Sequence, residues 1–351
     1  MKKEIKYDYA ILIPCLSRGG AELQCIALAN DLVRLRKKVI LISFKKVEND
    51  ILPKINKKIK LYELNKKKGK IMEIFKLIFS LYRLLKVFNP SKLILFLSYS
   101  EKIYIILRFL GLKINAITFI RSGINIPSPL HSFYGKYLGS IFEEIYINSV
   151  VNFFPALKFY SRIPIFFPNY LHLPSSINKC NFKKSEIKII YIARYIVSKN
   201  HKFLFESLLV NSNLKNIKIY LLGDSNKKNL SYIYDLIQKY GLEEKVCINF
   251  NVDDVYSLLR EMNVMVFCSN YTEGHPNALL EGMACGLNIL CSNKYSDLGM
   301  PINYYKDDCT KSFNDELDAI INENRIINYQ NYLDYLNSYK KLRNYILKTK
   351  F

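Results

Sequence analysis

Apolar and polar positions along the chain fall into repeating blocks. Tyr9–Cys15 (YAILIPC) is an unbroken apolar run, the pattern of a strand buried on both faces. A polar turn with two glycines, Ser17–Gly20, separates it from Ala21–Arg36. There Leu23, Ile26, Ala27, Leu32 and Val33 share one broad helical face. Val39–Phe44 (VILISF) reads as a second strand. A strand, a Gly-Gly turn, a helix and a strand predict the opening of a Rossmann-like parallel sheet.

The alternation continues. Residues 71–88 predict an amphipathic helix punctuated by Lys76, Arg83 and Lys86 and ended by Asn89-Pro90. Strands follow at Lys92–Leu97 and Ile117–Ile120, the latter leading into Arg121-Ser122-Gly123. Residues 145–167 alternate short apolar runs with Pro155 and Pro164. Pro168–Lys184 is polar and proline-bearing, as an interdomain linker would be.

A second series then begins. Strands are predicted at Ile187–Ala193, Ile217–Gly223, Val246–Phe250, Val264–Ser269 and Leu287–Cys291. Helices are predicted at His201–Val210, Tyr232–Tyr240, Val255–Met262 and Ala278–Cys285, with Gly241 and Gly286 as C-terminal caps. Residues 313–347 are polar, tyrosine-rich and helical in pattern.

The 351 residues exceed one ordinary core and suit two domains of roughly 150–180 residues each. The expected boundaries are 1–170, 171–325 and a C-terminal helical segment, 326–351, returning to the first domain. Two Rossmann-like domains would set a cleft between the carboxyl ends of their sheets, where open parallel sheets bind ligands.

Charge changes this picture. The net charge is +22, but residues 1–180 carry 30 basic and 11 acidic side chains, a net of +19. The first half therefore faces something anionic: nucleic acid, an anionic membrane surface or a phosphorylated acceptor. Lys45, Lys46, Lys54, Lys57, Lys58, Lys60, Lys66–Lys68 and Lys70, with the 71–88 helix, form the expected patch. No nucleic-acid-binding module accompanies the charge, so no nucleic-acid partner is expected.

The eight cysteines form no CxxC pair or zinc-spaced cluster and read as free thiols of a reducing, cytoplasmic compartment. The apolar start is too short for a signal peptide, and no uncharged apolar run reaches ~18 residues. The expected location is cytoplasmic, peripheral on the inner face of the cell membrane.

The chemistry concentrates at residues 270–286 (NYTEGHPNALLEGMACG). A strand leads into a turn and then a short helix whose unpaired N-terminal amides suit a phosphate or sugar hydroxyls. Glu273 before that helix and Glu281 one turn into it can accept hydrogen bonds from sugar and ribose hydroxyls. On spacing alone, a surface loop with solvated acids is as good a reading.

Glu273-Gly274-His275-Pro276-Asn277-Ala278-Leu279-Leu280-Glu281 and the following Gly-Met-Ala-Cys-Gly resemble the Glu-x7-Glu signature of glycosyltransferase family 4, retaining enzymes of GT-B fold. His275 stands for the usual Phe, Gly282 for Ala, and Asn288 where Pro is commoner. Tyr191–Arg194 with Lys199-Asn200 resembles the family's Arg and Lys-Asn segment, Leu221–Asp224 its glycine-bearing strand end, and Arg18–Glu22 its N-terminal GGAE loop. Arg121 stands where many relatives carry a histidine that positions the reacting sugar. The resemblance runs from Tyr9 to about Asp297 and is strongest over 187–291.

The resemblance implies two Rossmann-like domains facing each other across a cleft, and retaining transfer from a nucleoside diphosphate sugar, UDP-linked. Arg194 and Lys199 would hold the leaving diphosphate, with Asn200 capping the next helix. Glu273 would hold the donor sugar. Gly19, Gly20, Gly223, Gly274, His275, Pro276, Asn277, Ala278, Leu279 and Glu281 would bind the donor, and Arg121 the acceptor or the sugar. No cofactor and no metal is implied. A lipid-linked glycan or polysaccharide acceptor at the membrane, as in O-antigen or capsule synthesis, would use the basic first half. The rival readings are a differently acting GT-B protein such as an epimerase, or a non-catalytic nucleotide-sugar-binding or membrane scaffold.

Overall fold

The computed structural model describes residues 6–66, 71–121, 129–171, 186–223, 226–250, 252, 254–270, 273–322 and 327–351. Ser122, Gly123, Asp224, Lys67, Lys68, Lys70 and most of the expected linker lie outside them. The chain divides into a first unit, Met1–Tyr170 with Lys340–Phe351, and a second, Leu171–Tyr339.

In the first unit, β1 (Tyr9–Ile13), α1 (Gly20–Arg34), β2 (Val39–Ser43) and β3 (Lys60–Glu63) precede the amphipathic α2 (Ile71–Phe88). Then come β4 (Lys92–Phe96), α3 (Ser98–Phe109), β5 (Asn115–Ile120), α4 (Pro129–Ile141), β6 (Phe142–Ile147), α5 (Phe153–Tyr160) and β7 (Ile165–Phe166). Among the described residues the strands form one parallel sheet in the order β3-β2-β1-β4-β5-β6-β7. Alternate residues feed two cores. Ala10, Leu12, Ile40 and Ile42 enter the core that contains Leu81 and Tyr104, while Tyr9, Ile11, Ile13 and Leu41 enter the one that contains Ile26 and Ile346. Burial on both faces is why β1 and β2 read as continuous apolar runs.

The second unit repeats the scheme: β8 (Ile187–Ile192), α6 (His201–Leu209), β9 (Ile217–Gly223), α7 (Lys227–Tyr240), β10 (Val246–Phe250) and α8 (Val255–Arg260). It continues with β11 (Val264–Phe267), α9 (Asn277–Ala284), β12 (Asn288–Ser292), β13 (Asn303–Tyr305) and α10 (Thr310–Ile321). Among the described residues its parallel sheet has the order β10-β9-β8-β11-β12-β13. Order reverses between β8 and β11, and in the first unit between β1 and β4. These are the switch points at which parallel sheets open a crevice for ligands.

The last helix, α11 (Tyr329–Lys350), begins in the second unit, where the Tyr332 hydroxyl donates to Leu287 O (3.0 Å). Its end belongs to the first unit, where Arg343 pairs with Asp31 (3.0 Å) and Ile346 and Leu347 are buried. No helix among the described residues is long and apolar enough to cross a membrane.

Candidate functional site

The second unit's switch point gathers the sequence-predicted cations and the first signature acid. The chain leaves β8 through Arg194, passes Lys199 and enters α6. It leaves β11 through Ser269 and Asn270 and reaches Glu273 and α9. The two loops are joined by the Asn270 amide on Ser198 O (2.9 Å) and by Asn200 Nδ2 on Asn270 Oδ1 (3.0 Å). Lys294 Nζ reaches the same Asn270 oxygen at 3.2 Å.

Across this seam Lys199 Nζ forms an ion pair with Glu273 Oε1. Lys199 is buried and Glu273 half-buried. Burial and the neighbouring Arg194 charge push the Lys199 ammonium down to about 8. An ammonium at about 8 is still mostly protonated near neutrality, and Glu273 is its counter-charge. Arg194 is exposed, and its guanidinium has no hydrogen-bond or ion-pair partner among the described residues. Two cations at one strand end, one tethered and one free, suit a diphosphate.

Asn200 departs from expectation. It occupies the left-handed region (φ 54°, ψ 38°) and makes no side-chain cap to α6. Asparagine tolerates that conformation, and its side chain joins the two loops instead. Behind it His201 is fully buried against Tyr191 (ring centroids 5.0 Å apart) and pushed down to about 3 by burial and by Lys199. It is a neutral core histidine.

In the signature segment, Gly274, His275 and Pro276 are buried, Asn277, Ala278 and Glu281 are half-buried, and Leu279 is fully buried. Pro276 is the N-cap of α9, one position earlier than a first-turn proline. Leu279 can therefore offer a ligand only its backbone. The His275 ring stacks on Tyr339 (5.0 Å, 21°), and its Nε2 lies 3.1 Å from the Tyr335 hydroxyl. Sequence reasoning did not find these tyrosines. Their i, i+4 spacing on a helix was the available signal.

The glycines have local reasons. A methyl group at Gly223 would lie 2.5–2.7 Å from the Tyr195 ring and 2.8 Å from Ala193 O. One at Gly19 would collide with the Glu22 carboxylate, which lies in the first turn of α1. Gly20 is the exposed first residue of that helix.

Arg121, just past β5, belongs to the first unit. Its Nη2 donates to Asn169 Oδ1 at 2.7 Å, and its buried Nε has no partner. Burial, and then the charge of Arg343, push it down to about 9. A cavity of about 400 Å³ lined by Tyr7, Arg36, Lys37, Lys38 and Lys58 lies at the opposite, N-terminal ends of β1 and β2. No group of three or more potential metal ligands occurs among the described residues.

Residues 174–344 match the family model described as Glycosyl transferases group 1. The match covers 171 of the 351 residues, almost all of them in the second unit. A curated relative, the capsular polysaccharide biosynthesis glycosyltransferase CapH of Staphylococcus aureus, is 33% identical over 125 residues, 34% of each chain. The match thus spans about a third of that relative's length. Among solved structures, Anabaena HepE in complex with UDP and glucose is similar with a TM-score of 0.78 at 14% identity, covering 98% of this chain and 99% of that one. Sucrose-phosphate synthase from Thermosynechococcus elongatus has a TM-score of 0.79 at 13% identity, covering 97% of each. Such likeness fixes the fold: two Rossmann-like domains, as in GT-B structures.

Proposed function

We propose that the chain transfers a glycosyl group from a nucleoside diphosphate sugar, UDP-linked, to a lipid-linked or polysaccharide acceptor in surface polysaccharide synthesis. The observation that carries this is the Lys199–Glu273 ion pair beside the unpartnered Arg194, at the switch point of the matched domain. The two cations would hold the diphosphate and stabilise its growing charge as the glycosidic bond breaks. Glu273 would orient Lys199 and receive a hydroxyl of the donor sugar, while Glu281 would hold the ribose. The family resemblance favours retention, with the acceptor attacking on the face the diphosphate leaves. UDP in the HepE structure and the capsule role in the CapH name support the donor and pathway classes.

The first unit supports a membrane-borne acceptor. Met72, Phe75 and Phe79 stand exposed at i, i+3, i+7 on α2, with Arg83 over the Phe79 ring (5.6 Å) and the exposed Lys76 between them. An apolar stripe among cations suits an anionic bilayer surface.

The test is donor binding and hydrolysis across a panel of sugar nucleotides, with Lys199→Ala and Glu281→Ala as controls. One nucleotide sugar consumed by wild type, and much more slowly by both variants, is the expected result. If none is bound or consumed, or if the variants match wild type, the reading fails.

A further inference from the structure

Arg121 is a cation to which the described residues supply no anion. It sits at the carboxyl edge of β5, beside α1 and the 167–170 segment. The Arg343 guanidinium shares this part of the first unit closely enough for its charge to act on Arg121. The nearby carboxylate, Asp31, is taken: Arg343 Nη2 and Nε reach its Oδ2 at 3.0 and 3.3 Å, and Arg34 reaches Oδ1 at 2.9 Å. Arg343 is further satisfied by Pro168 O (2.8 Å) and the Phe167 ring (4.4 Å). Among the described residues Arg121 has one neutral acceptor, Asn169, and a buried Nε with none.

Arg121 is half-buried with its Nε enclosed, and a cation so placed without a counter-charge destabilises the free protein where the water it loses is worth more than one amide oxygen returns. Arginine presents a planar fork that matches the two oxygens of a carboxylate or phosphate. We propose that Arg121 recognises a carboxylate or phosphate group on a sugar ligand of the first unit, so that one substrate of this protein is an anionic sugar. The inference rests on the first unit's own geometry and does not require the transfer reading.

The test measures ligand protection in thermal melts and binding by calorimetry. The full chain is challenged with D-glucuronate, D-glucose 6-phosphate, inorganic phosphate and neutral D-glucose. Wild type, Arg121→Leu and Arg121→Lys are compared. Without ligand, Arg121→Leu should melt above wild type, the opposite of losing a structural cation. At least one anionic sugar should protect wild type more than glucose does, and bind Arg121→Leu about 30-fold or more weakly. Arg121→Lys, which keeps the charge but not the fork, should lie between, and it carries the comparison if the leucine variant does not fold. Protection by glucuronate alone assigns a carboxylate, and by glucose 6-phosphate alone a phosphate ester. The proposal is overturned if no anionic sugar binds better than glucose or inorganic phosphate, or if the anions bind wild type and the variants equally. None of these readouts uses glycosyl transfer, so failure here leaves the transfer reading standing, and the reverse holds.

Discussion

Lys199 and Glu273, 74 residues apart in sequence, are ion-paired across the ends of adjacent strands β8 and β11. The pair fixes the ammonium of a side chain that would otherwise sample many rotamers. It also leaves Arg194 as the more exposed cation.

Lys199→Ala should therefore lower donor turnover by about 100-fold or more, the usual loss when one preorganised charge facing a leaving group is removed. Glu273→Gln keeps the shape but releases the ammonium. It should reduce turnover less than Lys199→Ala and raise the donor KM. Steady-state kinetics on the best donor separates these effects. Equal losses in kcat for both variants, with KM unchanged, would contradict the positioning role of Glu273.

The burial of Lys199 predicts a pH dependence. Its ordinary value is 10.5 and its folded value about 8. The folded value is depressed, so its contribution to stability is present above 10.5 and lost as pH falls through about 8. A diphosphate beside it favours the charged form. Nucleotide binding near pH 8 should then take up roughly half a proton, and affinity should fall as pH rises through 8. Calorimetry of UDP binding in two buffers of different ionisation enthalpy measures the uptake. Lys199→Arg, charged throughout, should abolish it.

Much of this was legible in the sequence because the signals were local. Most of the buried strands of both sheets read as apolar runs, and Gly241 and Gly286 marked helix ends that the structure places in the left-handed region (φ 61° and 75°). The short β3, β7 and β13 were missed, since strands of two to four residues carry too little pattern, and the six-residue β6 was missed because Glu143 and Glu144 break its apolar run. Helix α3 was missed because Leu97, at φ 68°, turns the chain directly from strand to helix without glycine or proline. The Lys199–Glu273 pair depends on which strands neighbour each other, and a linear pattern does not encode that.

Glu101 offers a stability test. It is buried in the first turn of α3, where it accepts hydrogen bonds from Thr118 (2.5 Å) and Tyr160 (3.4 Å). Burial raises its pKa against the opposing effect of those bonds. A raised carboxyl keeps its full stability contribution below its ordinary value and loses it as pH rises through the folded value. Glu101→Gln keeps an oxygen for both hydroxyls and removes the charge. Its melting temperature should match wild type near pH 4.5 and exceed it increasingly toward pH 8. Melts across that range check this, and a lower value for the variant at pH 8 would refute it.

Gly223 tests whether a signature glycine serves the fold. The Tyr195 ring that a methyl group would strike is fully buried, and its single hydroxyl proton is shared between Leu221 O (3.1 Å) and Asn249 O (2.9 Å). The ring is anchored at its far end and cannot swing aside. Gly223→Ala should therefore cost about 1–3 kcal/mol from overpacking, with no help from the alanine's backbone preference. Tyr195→Phe would leave the ring in the way and should not rescue it. Tyr195→Leu removes the clashing atoms at a cost of its own, so the double variant should be more stable than the sum of the single losses predicts. Urea melts of the four proteins give the coupling. Additive losses would mean that the Tyr195 ring is not what excludes a side chain at Gly223, leaving the Ala193 carbonyl, 2.8 Å from the added methyl group, as the reason.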